Sequence, residues 1–195
     1  MKVLVACEYS GIVRDAFIRH GHDAMSCDIL DTESPGPHYK DNVLDILSNQ
    51  SWDLVVAHPP CTYLANSGSR WLYEKEGRWE QMKAGAEFFK MFFGSAPRVA
   101  IENPYMHKHG KSIIGREKTQ VIHPWQFGHM ESKGICLWLE NLPPLTPSHV
   151  VYDEMMKLPV KERHKVWYMG SGKGKERSKF FTGIAEQMAL QWGCL

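Results

Sequence analysis

Three observations predict an α/β fold built on a doubly wound, mostly parallel sheet. Short apolar runs bounded by turn residues alternate with segments of helical periodicity over the first half of the chain. Those runs, such as Asp53-Leu-Val-Val-Ala57, are apolar at consecutive positions, as in strands covered on both faces. The 195 residues suffice for one full domain and are too few for two large ones.

The elements follow in order. Residues 2–7 form an apolar first strand rather than a leader, since they lack a long apolar core and a cleavage site. Ser10-Gly11 turns the chain into a helix through about residue 19, stopped by Gly21. Residues 23–28 form a second strand ending in Asp28. Residues 31–40, rich in Pro, Gly and Ser, are expected to be loop. A short element around Asn42–Leu47 precedes the strand at 53–57. A helix at about 77–93 is predicted by Trp79, Met82, Ala86, Phe89 and Phe93 at helical spacing, and these read as core. Strands at 98–101 and 136–139 come next, and Leu142-Pro-Pro-Leu-Thr-Pro147 excludes regular structure. A basic, Gly-rich loop is expected at about 157–179, and a final helix at about 183–192 with Ile184, Met188 and Trp192 on one stripe.

Composition narrows the function classes. No apolar run approaches the length of a membrane span. The five cysteines include no C-x-x-C pair, which disfavours a disulfide framework or structural zinc and fits a reducing cytoplasm. The ten histidines include His20-x-His22 and His107-x-His109, but no carboxylate or cysteine cluster accompanies them, so no metal site is expected. Residues 1–60 hold four Lys/Arg against nine Asp/Glu, whereas residues 157–195 hold eight against three. The basic C-terminal stretch reads as a phosphate-binding surface or as a solvated face.

In open α/β sheets ligands bind beyond the carboxyl ends of the strands. The first strand ends in Cys7-Glu8-Tyr9-Ser10-Gly11, without a G-x-G-x-x-G dinucleotide motif. Asp28, about twenty residues on, stands where an acid would accept ribose hydroxyls, or else caps a strand end. Asp45 is a candidate for an adenine amino group. Two further loops carry reactive groups. His58-Pro59-Pro60-Cys61 follows the third long strand, and the two prolines stiffen the loop that presents the Cys61 thiol. Cys7, Cys27, Cys136 and Cys194 read instead as small buried hydrophobes. Glu102 ends the strand at 98–101 and leads into Asn103-Pro104. Partial burial there is expected to raise its pKa, so that it could donate a proton near neutral pH.

These motifs resemble the DNA (cytosine-5)-methyltransferases, above all the small members encoded by bacteriophages and prophages. Ser10-Gly11 resembles the family's S-adenosylmethionine loop, Asp28 its ribose-binding acid, Pro60-Cys61 its nucleophile loop and Glu102-Asn103 its Glu-Asn motif. Pro124-Trp-Gln-Phe-Gly128, Lys133, Leu137-Trp138-Leu139 with Leu142-Pro143-Pro144, and the tail from Arg177-Ser178 through Thr182-Gly183-Ile184-Ala185 to Gln191-Trp192-Gly193 are similar to the small phage members. The resemblance implies a Rossmann-like class I methyltransferase fold without a large target-recognition domain. It implies S-adenosyl-L-methionine as cofactor, with Cys7, Glu8, Ser10, Gly11, Asp28, Asp45, His58 and Pro59 lining its site. Cys61 and Glu102 would be catalytic, the thiolate adding to cytosine C6 and Glu102 engaging N3. DNA is the implied partner, met by Thr62, Lys133, Lys173, Lys175 and Arg177. Thr62 stands where the family usually has glutamine, and the family's paired-arginine motif is not evident. The oligomeric state is open, a homodimer being one option. Rival readings are carbon-5 methylation of RNA or a free nucleotide, an amino-group methyltransferase, and a non-catalytic nucleic-acid-binding module whose basic stretch includes Gly172, Gly174 and Lys179.

Overall fold

A computed structural model describes residues 1–170 and 173–195. Its elements are β1 (Lys2–Ala6), α1 (Ile12–Arg19), β2 (Asp23–Asp28), β3 (His38–Lys40), α2 (Val43–Asn49), β4 (Leu54–Ala57), α3 (Trp71–Glu74), α4 (Arg78–Lys90), β5 (Arg98–Asn103), α5 (Lys108–Ile114), β6 (Gln120–Ile122), β7 (Ile135–Glu140), α6 (Tyr152–Met156), α7 (Val160–Arg163), α8 (Lys165–Tyr168), α9 (Gly174–Ser178) and α10 (Thr182–Trp192). The strands form one seven-stranded sheet in the order β3-β2-β1-β4-β5-β7-β6. Neighbours from β3 to β5 are parallel, and β7 is antiparallel to both β5 and β6. This is a Rossmann-like doubly wound sheet with one reversed strand.

The unbroken apolar runs are explained by the two cores. In β1, Val3 and Val5 face one cluster with α1 and α10, whereas Leu4 and Ala6 face another with α2 and α4. Leu54 and Val56 of β4 divide from Val55 and Ala57 in the same way. Each strand buries both faces, so alternation with polar residues is lost. On α4, Met82, Ala86 and Phe89 are buried and Trp79 is only partly covered, while Phe93, expected in the same helix, lies past its end at Lys90 and is also partly covered. Ile184, Met188 and Trp192 of α10 are all buried.

Several elements differ from expectation. Residues 38–40 are strand rather than loop, because an edge strand needs only one partner, and Ser26, Cys27 and Asp28 pair with His38, Tyr39 and Lys40. The stretch expected as a basic loop carries the short helices α7, α8 and α9. Their four or five residues are too few to leave a periodic signal. Ser171 and Gly172, in that same stretch, lie outside the described residues. Cys194 is exposed rather than buried, since it follows α10 beyond the packed stripe. Between β7 and α10 the described residues hold only α6 to α9, and no large additional domain. No helix is long and apolar enough to cross a membrane among the described residues.

Candidate active site

Because β1, β2, β4 and β5 run parallel, their carboxyl ends open on one edge of the sheet. Ala57 pairs with Ile101, so His58, just past β4, and Glu102, near the end of β5, stand at the same level. His58 Nδ1 lies 3.1 Å from Glu102 Oε2. Both side chains are only 12% exposed. Glu102 Oε1 has no hydrogen-bond partner among the described residues. His58 Nε2 is likewise buried without a partner among them, and its ring packs on Phe180 with centroids 4.8 Å apart. Asn103 Nδ2 donates to Pro59 O at 2.8 Å, which ties the loop after β4 to the end of β5. Pro59 is buried, whereas Pro60, Cys61 and Thr62 are exposed. The Cys61 carbonyl accepts from Leu64 N and Ala65 N at 3.0 and 2.8 Å, and Arg78 donates to Thr62 O at 2.6 Å. The loop is thus held at both ends while its thiol stays accessible.

The charges at this edge act on one another. Burial pushes the Glu102 carboxyl up, but the His58 hydrogen bond and the charges of Lys133 and His58 outweigh it, so its pKa lies below the ordinary value. The expected rise is thereby corrected. A carboxyl that gains a donor and a nearby cation is held in its charged form even when desolvated. The Cys61 thiol is raised, first by the protein packed around its loop and then by the Glu102 charge, while Lys133 and Arg177 oppose the rise. Lys133 and Arg177, 44 residues apart in sequence, are therefore both brought within electrostatic reach of Cys61.

At the end of β1 the chain turns sharply, with Cys7 at φ 59° and Gly11 at φ 76°. A side chain at Gly11 would strike the guanidinium of Arg14 and Ser34. The Glu8 carboxylate is buried and accepts from Val13 N at 2.7 Å and Arg14 N at 3.2 Å, so it caps α1. Ser10 Oγ donates to the same carboxylate at 3.1 Å. The side chains of Glu8 and Ser10 are thus engaged with the protein, which leaves the turn's backbone as the surface they could offer a ligand. Cys7 is half-buried; burial and the Asp28 charge both push its thiol up. Asp28 Oδ1 accepts from Leu30 N at 2.9 Å, and Oδ2 has no partner among the described residues. Ile29 beside it is 74% exposed. A free carboxylate oxygen next to an exposed apolar side chain fits a ribose hydroxyl and a purine face. Asp45 is exposed in the first turn of α2; burial, then the charges of Asp28, Asp41 and Asp45, raise the Cys27 thiol to about 11. Among the described residues no three His, Cys, Asp or Glu side chains gather as a metal site would need.

The basic segment lies across this edge. Tyr9 Oη donates to Lys175 O at 2.6 Å and sits 3.0 Å from Ser178 Oγ. Lys179 pairs with Glu33 at 3.0 Å. Lys173 and Lys175 are exposed. Two residues were not singled out in the sequence as site builders. Arg14 is wholly buried and donates to Ser26, Thr32, Ser34, Pro35 and Pro37, fixing the segment that carries Glu33. Glu131 is buried and accepts from Ser132 N, Lys133 N and Val166 N at 3.0 to 3.1 Å. His58, expected to line the cofactor site, is bonded to the acid Glu102. A lone Arg on an apolar helix face was the only sequence signal for Arg14; Glu131 and the His58–Glu102 pair left none.

No family model and no curated protein matches the chain. Among solved structures it is similar to a prophage-encoded protein of E. coli described as a DNA modification methyltransferase, at TM-score 0.49 and 13% identity over 82% of this chain and 56% of that one. It is also similar to a mutant of DNMT2 from Spodoptera frugiperda, at TM-score 0.41 and 13% identity over 77% of this chain and 54% of that one. The chain thus spans little more than half the length of either.

Proposed function

We propose that the protein transfers a methyl group from S-adenosyl-L-methionine to carbon 5 of cytosine in DNA, through a covalent bond to Cys61. The observation that carries this reading is an exposed thiol and a carboxylate with one free oxygen at the ends of adjacent parallel strands. When bound, the cofactor would supply an electrophilic methyl group. Asp28 and Ile29, with the backbone turn from Cys7 to Gly11, would hold its nucleoside, and Asp45, His58 and Pro59 border the same edge.

The chain's own groups account for the remaining steps. Lys133 and Arg177 oppose the rise of the Cys61 thiol, whose sulfur adds to C6 of a base drawn out of the stack. The proton given up by the Cys61 thiol would pass to N3 as sulfur adds, and the charged Glu102 Oε1 would accept from that N3–H while His58 holds Oε2. The electron pair released to C5 would take the methyl group and leave the sulfonium as a neutral thioether, the C5 proton would pass to water, and the carbon–sulfur bond would break, with the N3 proton returning to sulfur as the thiol. Thr62, Lys173 and Lys175 border the path of the nucleic acid.

Incubation with labelled S-adenosylmethionine and DNA containing 5-fluorocytosine tests the mechanism. A denaturation-resistant adduct is expected, and none with Cys61→Ser. Methyl transfer to ordinary DNA that survives Cys61→Ser undiminished rejects it.

A further inference from the structure

We propose that α7 and α8 form a docking face for single-stranded nucleic acid, a strand whose unpaired bases stack on Trp167 and Tyr168. The inference deepens the nucleic-acid reading above and rests on it. Trp167 is 69% exposed and Tyr168 52% exposed, although side chains of this size are normally covered. Lys157, Lys161 and Lys165 are exposed on the same short stretch, and Glu162 is its only acid. Arg163 turns inward onto Met156 O at 3.4 Å and is not counted among them. Lysines that follow a backbone, interleaved with aromatic faces that accept any base, make up a sequence-tolerant single-strand platform. The four residues of α7 and of α8 give one turn each, too little helix to fill a duplex groove.

The face is fixed to the reacting end. Glu131 Oε1 accepts from Ser132 N and Lys133 N, and Oε2 accepts from Val166 N at 3.0 Å. Ser132 N donates to Arg163 O at 2.9 Å, and Ser132 Oγ bonds His164 Nδ1. One buried carboxylate therefore joins the start of α8 to Lys133, whose charge reaches both Cys61 and Glu102. A strand with one base at Cys61 would run from Lys133 onto Trp167. The face would give affinity where no large recognition domain is present among the described residues.

The test uses the Cys61→Ser protein, so that binding is read apart from catalysis, with a fluorescent single-stranded DNA oligonucleotide and the duplex of the same sequence. Trp167→Ala and Tyr168→Ala should each weaken single-strand binding by roughly 5- to 150-fold, and Trp167→Phe should restore most of it. Replacing Lys157, Lys161 and Lys165 together with Gln should lower the salt slope by about 2. Unchanged single-strand affinity in both aromatic variants overturns the proposal. So does a dimer that becomes monomeric on Trp167→Ala with single-strand affinity intact, because the face would then belong to a second copy. Trp167-dependent binding by a wild-type protein that transfers no methyl group would uphold the face and sink the methyl-transfer reading instead.

Discussion

Cys61 and Glu102 sit on neighbouring strand ends, yet their electrostatic states differ because their surroundings do. The carboxyl has a hydrogen-bond donor 3.1 Å away and the Lys133 charge nearby, so it stays charged despite desolvation. The thiol is raised, first by the protein packed around its loop and then by that carboxylate. In sequence, both residues were legible as a thiol and an acid at the ends of strands. The protonation of Glu102 was not, since its partner His58 is 44 positions away. A pH prediction follows. The folded pKa of Glu102 lies below its unfolded value, so the unfolded chain takes up the proton first as pH falls. Its stabilisation is fully present above the ordinary carboxylate value, about 4.3, and is lost as pH drops through the lower folded value. Urea titrations across that window should show wild type losing more stability than Glu102→Gln. Parallel acid-side curves for the two proteins would refute the assignment.

At the scale of elements, the joint between β1 and α1 shows how a ligand-edge motif can also be a structural one. Glu8 reads from sequence as part of a cofactor loop, and its position at the strand end is right. Its carboxylate nevertheless serves two amides at the start of α1, which lacks a side-chain cap at Gly11. Glu8→Ala should cost about 1–3 kcal/mol of stability by leaving buried amides unpaired, measured as a shift in the urea midpoint. If Glu8 were a ligand contact instead, cofactor affinity would fall while the midpoint held. The long elements were legible because burial on both faces or a helical stripe spans many residues. The short ones, β3, α5, β6 and α7 to α9, were not. They hold three to seven residues each, and tertiary partners decide them more than local pattern does.

Across the whole molecule, the C-terminal third returns to the edge opened by the first hundred residues. Tyr9 meets Lys175 and Ser178, Lys179 meets Glu33, and Phe180 meets His58. Helix α10 then packs on α1, where Arg19 and His20 both engage Glu186. The strap from α9 to Phe180 thus links the loops after β1, β2 and β4 and carries Arg177 toward Cys61. Its contacts with the rest are few, so it should open without global unfolding. Tyr9→Phe removes the hydroxyl shared by Lys175 and Ser178. Amide exchange over residues 174–179 should then speed up, while the global unfolding free energy moves by less than about 1.5 kcal/mol. Unaltered exchange would show that the strap is held elsewhere.

The chain's local patterns by themselves determined the parallel sheet, the helices that flank it, and which strand ends carry the thiol and the two acids. Runs buried on both faces, helical stripes and turn residues act over a few positions, and they can be read in order. Only the tertiary structure decided that Glu102 is held charged, that Glu8 caps a helix, and that Lys133 and Arg177 converge on Cys61. The first and last of these depend on groups far apart along the chain, 44 residues for His58 and Glu102 and 166 for Tyr9 and Lys175, whose meeting no local pattern records, whereas the Glu8 cap spans only five or six residues and rests on how the turn folds.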